Sequence, residues 1–498
     1  MTLVALAGCR DLDRGEPWDQ DARVRGVTAL EGGFMLVADP FGTVLSLGEG
    51  LSEPQGVPVG GRVLAAVATA DGGAVVLTDA PSLARIGPDA GIEAEWELAA
   101  GFDALTVTPD GRFAFVSFTP GYTPDDGALL FNPQLVAWVD LSNPGSAPST
   151  LRLNGPRPIA VVAPKPVSID DDPDTEHLVA VLGDSTVAFV VLDTAPGLDP
   201  QRLVRLTDPT LAGSVVATSV ELVDPDPLVP DDVRAFVVVR GLSDVVSVSL
   251  LTNPAGGAPL ASVNLLGVGS PPTAAYSVGD SEPLLVLTGS DRAWSVDGVS
   301  GVASPFDVQV PAAQAVLWTP PGEGPSAVFW SPGSDRVAFG PVTPLLEGGL
   351  GLLTARRLSA GVEQVTVDAA GRYAVARLGG SSGVSIIDLA TGREATLPSS
   401  GTVAEVEIGG DLAFVTVAGR SAAALVNLLD GSFDEVPLPA PVSAIYRSVD
   451  GATLLLDHDE AGGHLSRFAW SQGAAGPARA WRGFLWGGIL NRDAEARP

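Results

Sequence analysis

The feature that most constrains this chain is that it repeats itself. One unit reads Val365-Thr-Val-Asp-Ala-Ala-Gly-Arg-Tyr-Ala-Val-Ala-Arg-Leu378, then the small polar tip Gly379-Gly-Ser-Ser-Gly383, then Val384-Ser-Ile-Ile-Asp-Leu-Ala-Thr-Gly392. It parses as strand, Asp/Gly turn, strand, tip, strand, turn. Leu105 to Phe118 repeats the first half closely, and Ser448 to Asp457 does so more loosely. The second half returns at Val136 to Gly145, Val187 to Gly197, Val246 to Gly256 and Leu425 to Gly431. Short β-rich runs bounded by turn residues are what antiparallel hairpins require.

The starts of the second strands fall at Phe34, Ala74, Phe113, Leu178, Ala235, Leu284, Ala327, Tyr373, Leu412 and Leu454. Most of these markers are roughly 40–50 residues apart, the length of one four-stranded propeller blade. The two longest intervals, between Phe113 and Ala235, carry insertions. The 59 glycines and 42 prolines disfavour long helices and fit a chain rich in tight turns. The predicted fold is therefore all-β, a propeller of four-stranded antiparallel blades spanning 22–498. Its blade count is open at seven to ten.

The order strand, Pro-Asp-Gly, strand, tip, Val-x-Val-x-Asp resembles the YVTN β-propeller repeat family, most clearly over 104–145, 235–256 and 361–397. The resemblance implies the propeller fold and an exported, often surface-linked setting. That family includes binding scaffolds, lactonases and subunits of redox enzymes, so it does not choose a function. No Cys-x-x-Cys-His is present for covalent attachment of a c-type haem.

The amino terminus points the same way. Leu6-Ala-Gly-Cys9 resembles the bacterial lipobox, in which small residues precede a cysteine that takes the lipid. Cys9 is the only cysteine of the chain. No positive charge precedes the apolar run, and that run is shorter than a full signal peptide core. The expectation is a truncated lipoprotein signal over 1–9, a polar tether over 10–21, and anchoring to the membrane of the bacterial envelope by acyl chains alone. No run of eighteen apolar residues suggests a transmembrane helix.

The formal net charge is −31, and Lys165 is the only lysine. Such a chain does not bind nucleic acid through a broad basic surface. Tips between second and third strands open on the same face as the connections between blades. There Asp39, Asp79, Asp184, Asp244, Asp291 and Asp335 recur at similar positions. They read either as a partial acidic ring that attracts a cation or basic peptide, or as Asx-turn residues bonding their own backbone. The longest tip, 119–133, carries Tyr122 and Phe131 and is either a lid over that face or a tolerated insertion. On the opposite face, Asp170, Asp172, Asp174 and Glu176 alternate in an acidic loop. Clustered carboxylates suit Ca²⁺, although the pattern is not an EF-hand, and a solvated acidic loop is the favoured reading. A second acidic loop spans Asp224 to Asp232.

Catalytic signatures are sparse. The three histidines are His177, His458 and His464. Asp457-His458-Asp459-Glu460 reads as a polar hairpin tip. Gly379 to Gly383 satisfies G-x-S-x-G in letters, but a strand follows where the nucleophile elbow needs a helix. The first functional expectation is a non-catalytic, lipid-anchored scaffold presenting a loop face to an envelope protein, peptide or glycan. The alternatives are a propeller hydrolase or lactonase using acidic channel residues with a divalent cation, and a structural surface-layer component.

Overall fold

The computed structural model describes residues 23–485, apart from 32, 40–42, 49–53, 124–131, 156, 170–175, 184, 208–215, 225–228, 230, 279–283, 299, 321–322, 347–351, 369, 381–382 and 459. The described strands form ten four-stranded sheets, and within each sheet the spatial order follows the chain order. Every neighbouring pair is antiparallel, from Arg23–Leu30 beside Gly33–Asp39 in blade 1 to His464–Ala469 beside Arg479–Arg482 in blade 10. The protein is a ten-bladed β-propeller. Each of the ten predicted second-strand markers lies at the start of a second strand or one residue inside it.

Burial explains the strand composition. Second strands have blades on both faces and read as continuous apolar runs: Leu178–Leu182 and Phe113–Ser117 are buried at every position. Inner strands such as Ala104–Val107 are half-buried along the channel. Outer strands are mostly polar, as in Ile92–Glu97. The turn between inner and second strands is chemically fixed. In blade 3 Gly111 takes φ 75°, its N–H donates to the Thr108 carbonyl at 2.8 Å, and the Thr108 N–H donates to Phe113 across the turn. Blade 8 repeats this with Gly371, Asp368 and Tyr373. A residue with a side chain is disfavoured at such a φ.

The core is not central. It is divided into apolar clusters lodged between adjacent blades, such as Val187, Phe189, Val246 and Val248 between blades 4 and 5. The same device closes the ring. Phe34, Leu36, Leu45 and Leu47 of blade 1 pack against Leu455, Leu465 and Trp481 of blade 10. Both sheets are built from contiguous chain, so no strand is exchanged across this seam. Side-chain burial, worth about 1.5–3 kcal/mol per large apolar residue, holds it. Trp481 and Phe484 thus complete the last blade, while Trp486 lies outside the described residues. No helix of the described residues is long and apolar enough to cross a membrane.

Candidate functional site

A cleft between blades 8 and 9 has a volume of about 320 Å³. Its walls come from the third and outer strands of blade 8 (Val384, Leu397) and from the second, third and outer strands of blade 9 (Val415, Ala424, Phe433), with one carboxylate, Glu435, directly across from Ala424. Its mouth is formed by Gly383, by Ser399 and Ser400 of the connection to blade 9, and by Arg420 in the following tip. It therefore opens on the face formed by the tips and the blade connections, where the sequence places ligand recognition.

Local sequence makes the space. The third strand of blade 9, Ala422–Asn427, begins with three alanines. Alternation turns Ala424 and Val426 toward blade 8, and Ala423 and Leu425 toward blade 10. When Phe414 is matched to Phe236 of blade 5 in strand register, Ala424 corresponds to Val246. Blade 9 thus lacks two methyl groups where blade 5 fills its interface. Gly383 (φ 90°) lets the tip of blade 8 approach the Leu397 carbonyl so closely that a Cβ would collide with it. Phe433 stands 62% exposed at the rim, an apolar ring left to solvent.

The mouth is polar. The Arg420 guanidinium donates to Ser400 Oγ at 2.6 Å, and no carboxylate of the described residues forms an ion pair with it. Two other arginines of this face are held by acids, Arg357 by Asp335 at 2.6 Å and Arg62 by Asp79 at 3.5 Å. A mainly apolar slot of this size takes a side chain or a small acyl or aryl group, and a guanidinium with no ion-pair partner among the described residues suits a carboxylate.

The structure places the predicted acidic positions mid-blade, between second and third strands. The Asp79 carboxylate accepts the backbone N–H groups of Arg62 and Ala80 at 2.7 and 2.9 Å, which makes it a turn residue as well as an ion-pair partner. Asp335 is held by Arg357 of the outer strand. Asp244 is half-buried opposite Gly267, and Asp291 is exposed beside Arg292. Asp39 ends the second strand of blade 1, and Asp184 lies outside the described residues. Tyr122 stacks on Phe118 at 5.3 Å against the cluster between blades 2 and 3, and Arg157 donates to its carbonyl. Phe131 and Cys9 lie outside the described residues.

On the opposite face, Asp170, Asp172 and Asp174 are also outside the described residues, while Glu176 accepts the Ile169 N–H at 2.9 Å. The second acidic loop is bonded to the segment just before the first: Asp224 accepts the Ser168 N–H at 2.8 Å, and the Asp231 N–H donates to the Ile169 carbonyl. Among the described residues, no group of three or more His, Cys, Asp or Glu side chains is placed to hold a metal ion.

Sequence reasoning missed two polar centres. His177 is buried, with Nε2 2.8 Å from Asp110 of blade 3 and Nδ1 3.0 Å from Asp193 of its own blade. In blade 10 the expected polar tip is instead strand: Asp457 and His458 are buried, and His458 faces His464 across the hairpin with ring centroids 4.4 Å apart. His458 Nε2 meets Ser466 Oγ at 2.7 Å, and its Nδ1 meets the Ala440 carbonyl at 2.8 Å. Burial pushes the Asp457 carboxyl up to about 7, against the opposing influence of the Ser443 hydroxyl and the Arg23 charge. Burial likewise raises Glu407 and Glu221 on inner strands of blades 9 and 5.

No protein-family model matches the chain, and no curated protein matches it in sequence. Solved structures with a similar course include the dihydro-heme d1 dehydrogenase NirN in complex with DHE, at 14% identity over 75% of each chain, with a TM-score of 0.43. A eukaryotic initiation factor matches at 12% identity over 93% of this chain and 96% of its own, with a TM-score of 0.47. Sqt1 of Saccharomyces cerevisiae matches at 10% identity over 72% of this chain and 93% of its own, with a TM-score of 0.41.

Proposed function

We propose that this propeller is a binding scaffold whose cleft between blades 8 and 9 takes the carboxy-terminal apolar residue of a partner peptide. The observation that carries this reading is the union of a mainly apolar space beside Ala424 with Arg420 at the mouth. The side chain fills the space that the alanines leave, and the terminal carboxylate lies on the guanidinium.

The test uses short labelled peptides ending in Leu or Phe, each with a free or an amidated terminus, and fluorescence anisotropy. Free-acid peptides bind, amidation and Arg420→Ala each weaken binding about tenfold or more, and Ala424→Phe abolishes it by filling the slot. Equal binding of free and amidated peptides, or binding that survives Ala424→Phe, sinks the reading.

Anchoring through Cys9 in the bacterial envelope belongs to the same proposal. Arg23, the first described residue, pairs in register with Asp39 at the tip end of the second strand, so the chain enters the fold on the face that holds the cleft. A tether over 10–21 then turns that face toward the membrane. A form extended at its amino terminus partitions into detergent, and Cys9→Ser in that form removes the partition. Equal solubility of both forms overturns the anchor.

A further inference from the structure

Ten outer strands ring the propeller, and each exposes an unpaired backbone edge that invites another strand. Nine are blunted by charge, proline or shortness. Ile92–Glu97 carries Glu93, Glu95 and Glu97; Ala303–Asp307 carries Pro305; Phe433–Pro437 carries Asp434 and Pro437; Gln55–Gly56 spans two residues. Ser149–Arg152, Gln201–Arg205, Thr354–Arg357 and Arg479–Arg482 carry arginine, and Glu394–Leu397 carries Glu394. The outer strand of blade 5, Leu260–Gly267, has none of these guards. It is eight residues long, the longest of the ten, and holds no charged residue and no proline. Leu260, Val263 and Leu265 are 40%, 40% and 59% exposed. All eight residues are paired to Asp244–Leu251 on the inner side, and no strand of the described residues pairs with the outer side.

We infer that this edge joins two copies of the chain through antiparallel pairing of Leu260–Gly267 with itself about a two-fold axis at Val263. The sequence is self-complementary about that point. Directly opposed residues of an antiparallel pair share a sheet face, so a two-fold perpendicular to the sheet must pass through a residue. Centred on Val263, it sets Val263 against itself, Ala261 against Leu265, Leu260 against Leu266 and Ser262 against Asn264. Apolar meets apolar and polar meets polar at every position. Centring on Asn264 instead sets Ser262 against Leu266 and loses the match.

Charge favours the same site. Two molecules of net charge −31 repel, and among the outer strands longer than two residues this is the one that carries no charge to oppose. The product is a continuous eight-stranded sheet across the two propellers, an isologous contact that closes at two copies.

Sedimentation velocity from submicromolar to near-millimolar protein tests this. The wild type passes from monomer to dimer with no larger species. Val263→Lys, which sets two ammonium groups against each other at the axis, stays monomeric with an unchanged melting temperature because the position is on an exposed edge. The register has its own test. Ser262→Lys combined with Asn264→Glu opposes unlike charges twice and keeps the dimer, whereas Ser262→Lys combined with Asn264→Lys breaks it. A wild type that is monomeric throughout, or a dimer indifferent to Val263→Lys, overturns the proposal. So does equal behaviour of the two double variants.

Discussion

His177 spans two blades: its Nε2 lies 2.8 Å from Asp110 Oδ2 of blade 3, while its Nδ1 lies 3.0 Å from Asp193 Oδ2 of blade 4. Burial disfavours the imidazolium, but the hydrogen bonds and charges of Asp193 and Asp110 outweigh it and raise the pKa above the ordinary value of 6.5. Phe113 closes one side with its ring centroid 4.9 Å away. The pair joins the blades where apolar packing ends.

The pH dependence of this clamp follows from its sign. A raised histidine contributes fully below its unfolded value and loses the contribution as pH rises through the folded value. His177→Gln is expected to lower stability by about 1–3 kcal/mol in mildly acidic buffer, by loss of charged hydrogen bonds. Above the raised pKa the difference from wild type shrinks. Urea denaturation at both ends of that range checks it, and an equal loss at both refutes a charged clamp.

Asp457 behaves in the opposite way to a stabilising carboxylate. Its folded pKa of about 7 exceeds the ordinary 3.8, so the folded state holds the proton more tightly. The ionised form is thus a cost that begins above the unfolded value and is complete above about 7. That difference corresponds to on the order of 4 kcal/mol. Asp457→Asn, which keeps the shape and removes the charge, should raise the melting temperature at alkaline pH and leave it nearly unchanged in acid. A lower melting temperature at alkaline pH would mean that the carboxylate is needed charged.

The seam between blades 10 and 1 depends on side chains. Trp481→Ala should cost about 3–5 kcal/mol, as removal of a large buried aromatic does. Phe189→Ala, between blades 4 and 5, is the control. Similar losses with one cooperative transition indicate a ring that unfolds as a unit. An early separate transition in Trp481→Ala alone would mark the seam as the weak point.

The turn glycines carry a purely conformational prediction. A Cβ on Gly111 meets nothing nearer than 3.5 Å, so steric collision is not the issue. Its φ of 75° is. Gly111→Ala should cost about 1–2 kcal/mol, with Gly111→Asn milder, measured by thermal melts.

The fold was legible because its signal is local and repeated. Leu178, Tyr373 and Leu412 open buried second strands, and the apolar runs and turn residues that mark them are set within each hairpin. The ten markers correspond one for one to the ten blades; what no local pattern encodes is closure into one ring, which rests on packing between the first and last blades, such as Leu36 against Leu455. The cleft was hidden for the same reason: Ala424 leaves a space only when set against Val384 and Leu397 of the preceding blade. Asp457 and His458 looked like a tip because polar residues usually mark turns. In the fold the hairpin extends to the His458–His464 pair; Ser466 and backbone carbonyls partner the His458 ring and Ser443 reaches Asp457, while His464 Nε2 is buried without a hydrogen-bond partner among the described residues.

The contiguous seam also bears on how such a ring is made and remade. In a propeller that exchanges a strand between its first and last blades, the genetic unit and the structural unit are out of phase. Here they coincide: each blade is one uninterrupted stretch of chain, and blade 10 meets blade 1 as any blade meets the next. Duplication of one segment therefore delivers a whole blade. A circular permutant opened at any connection between blades, with the old ends joined, has the same sheets to build.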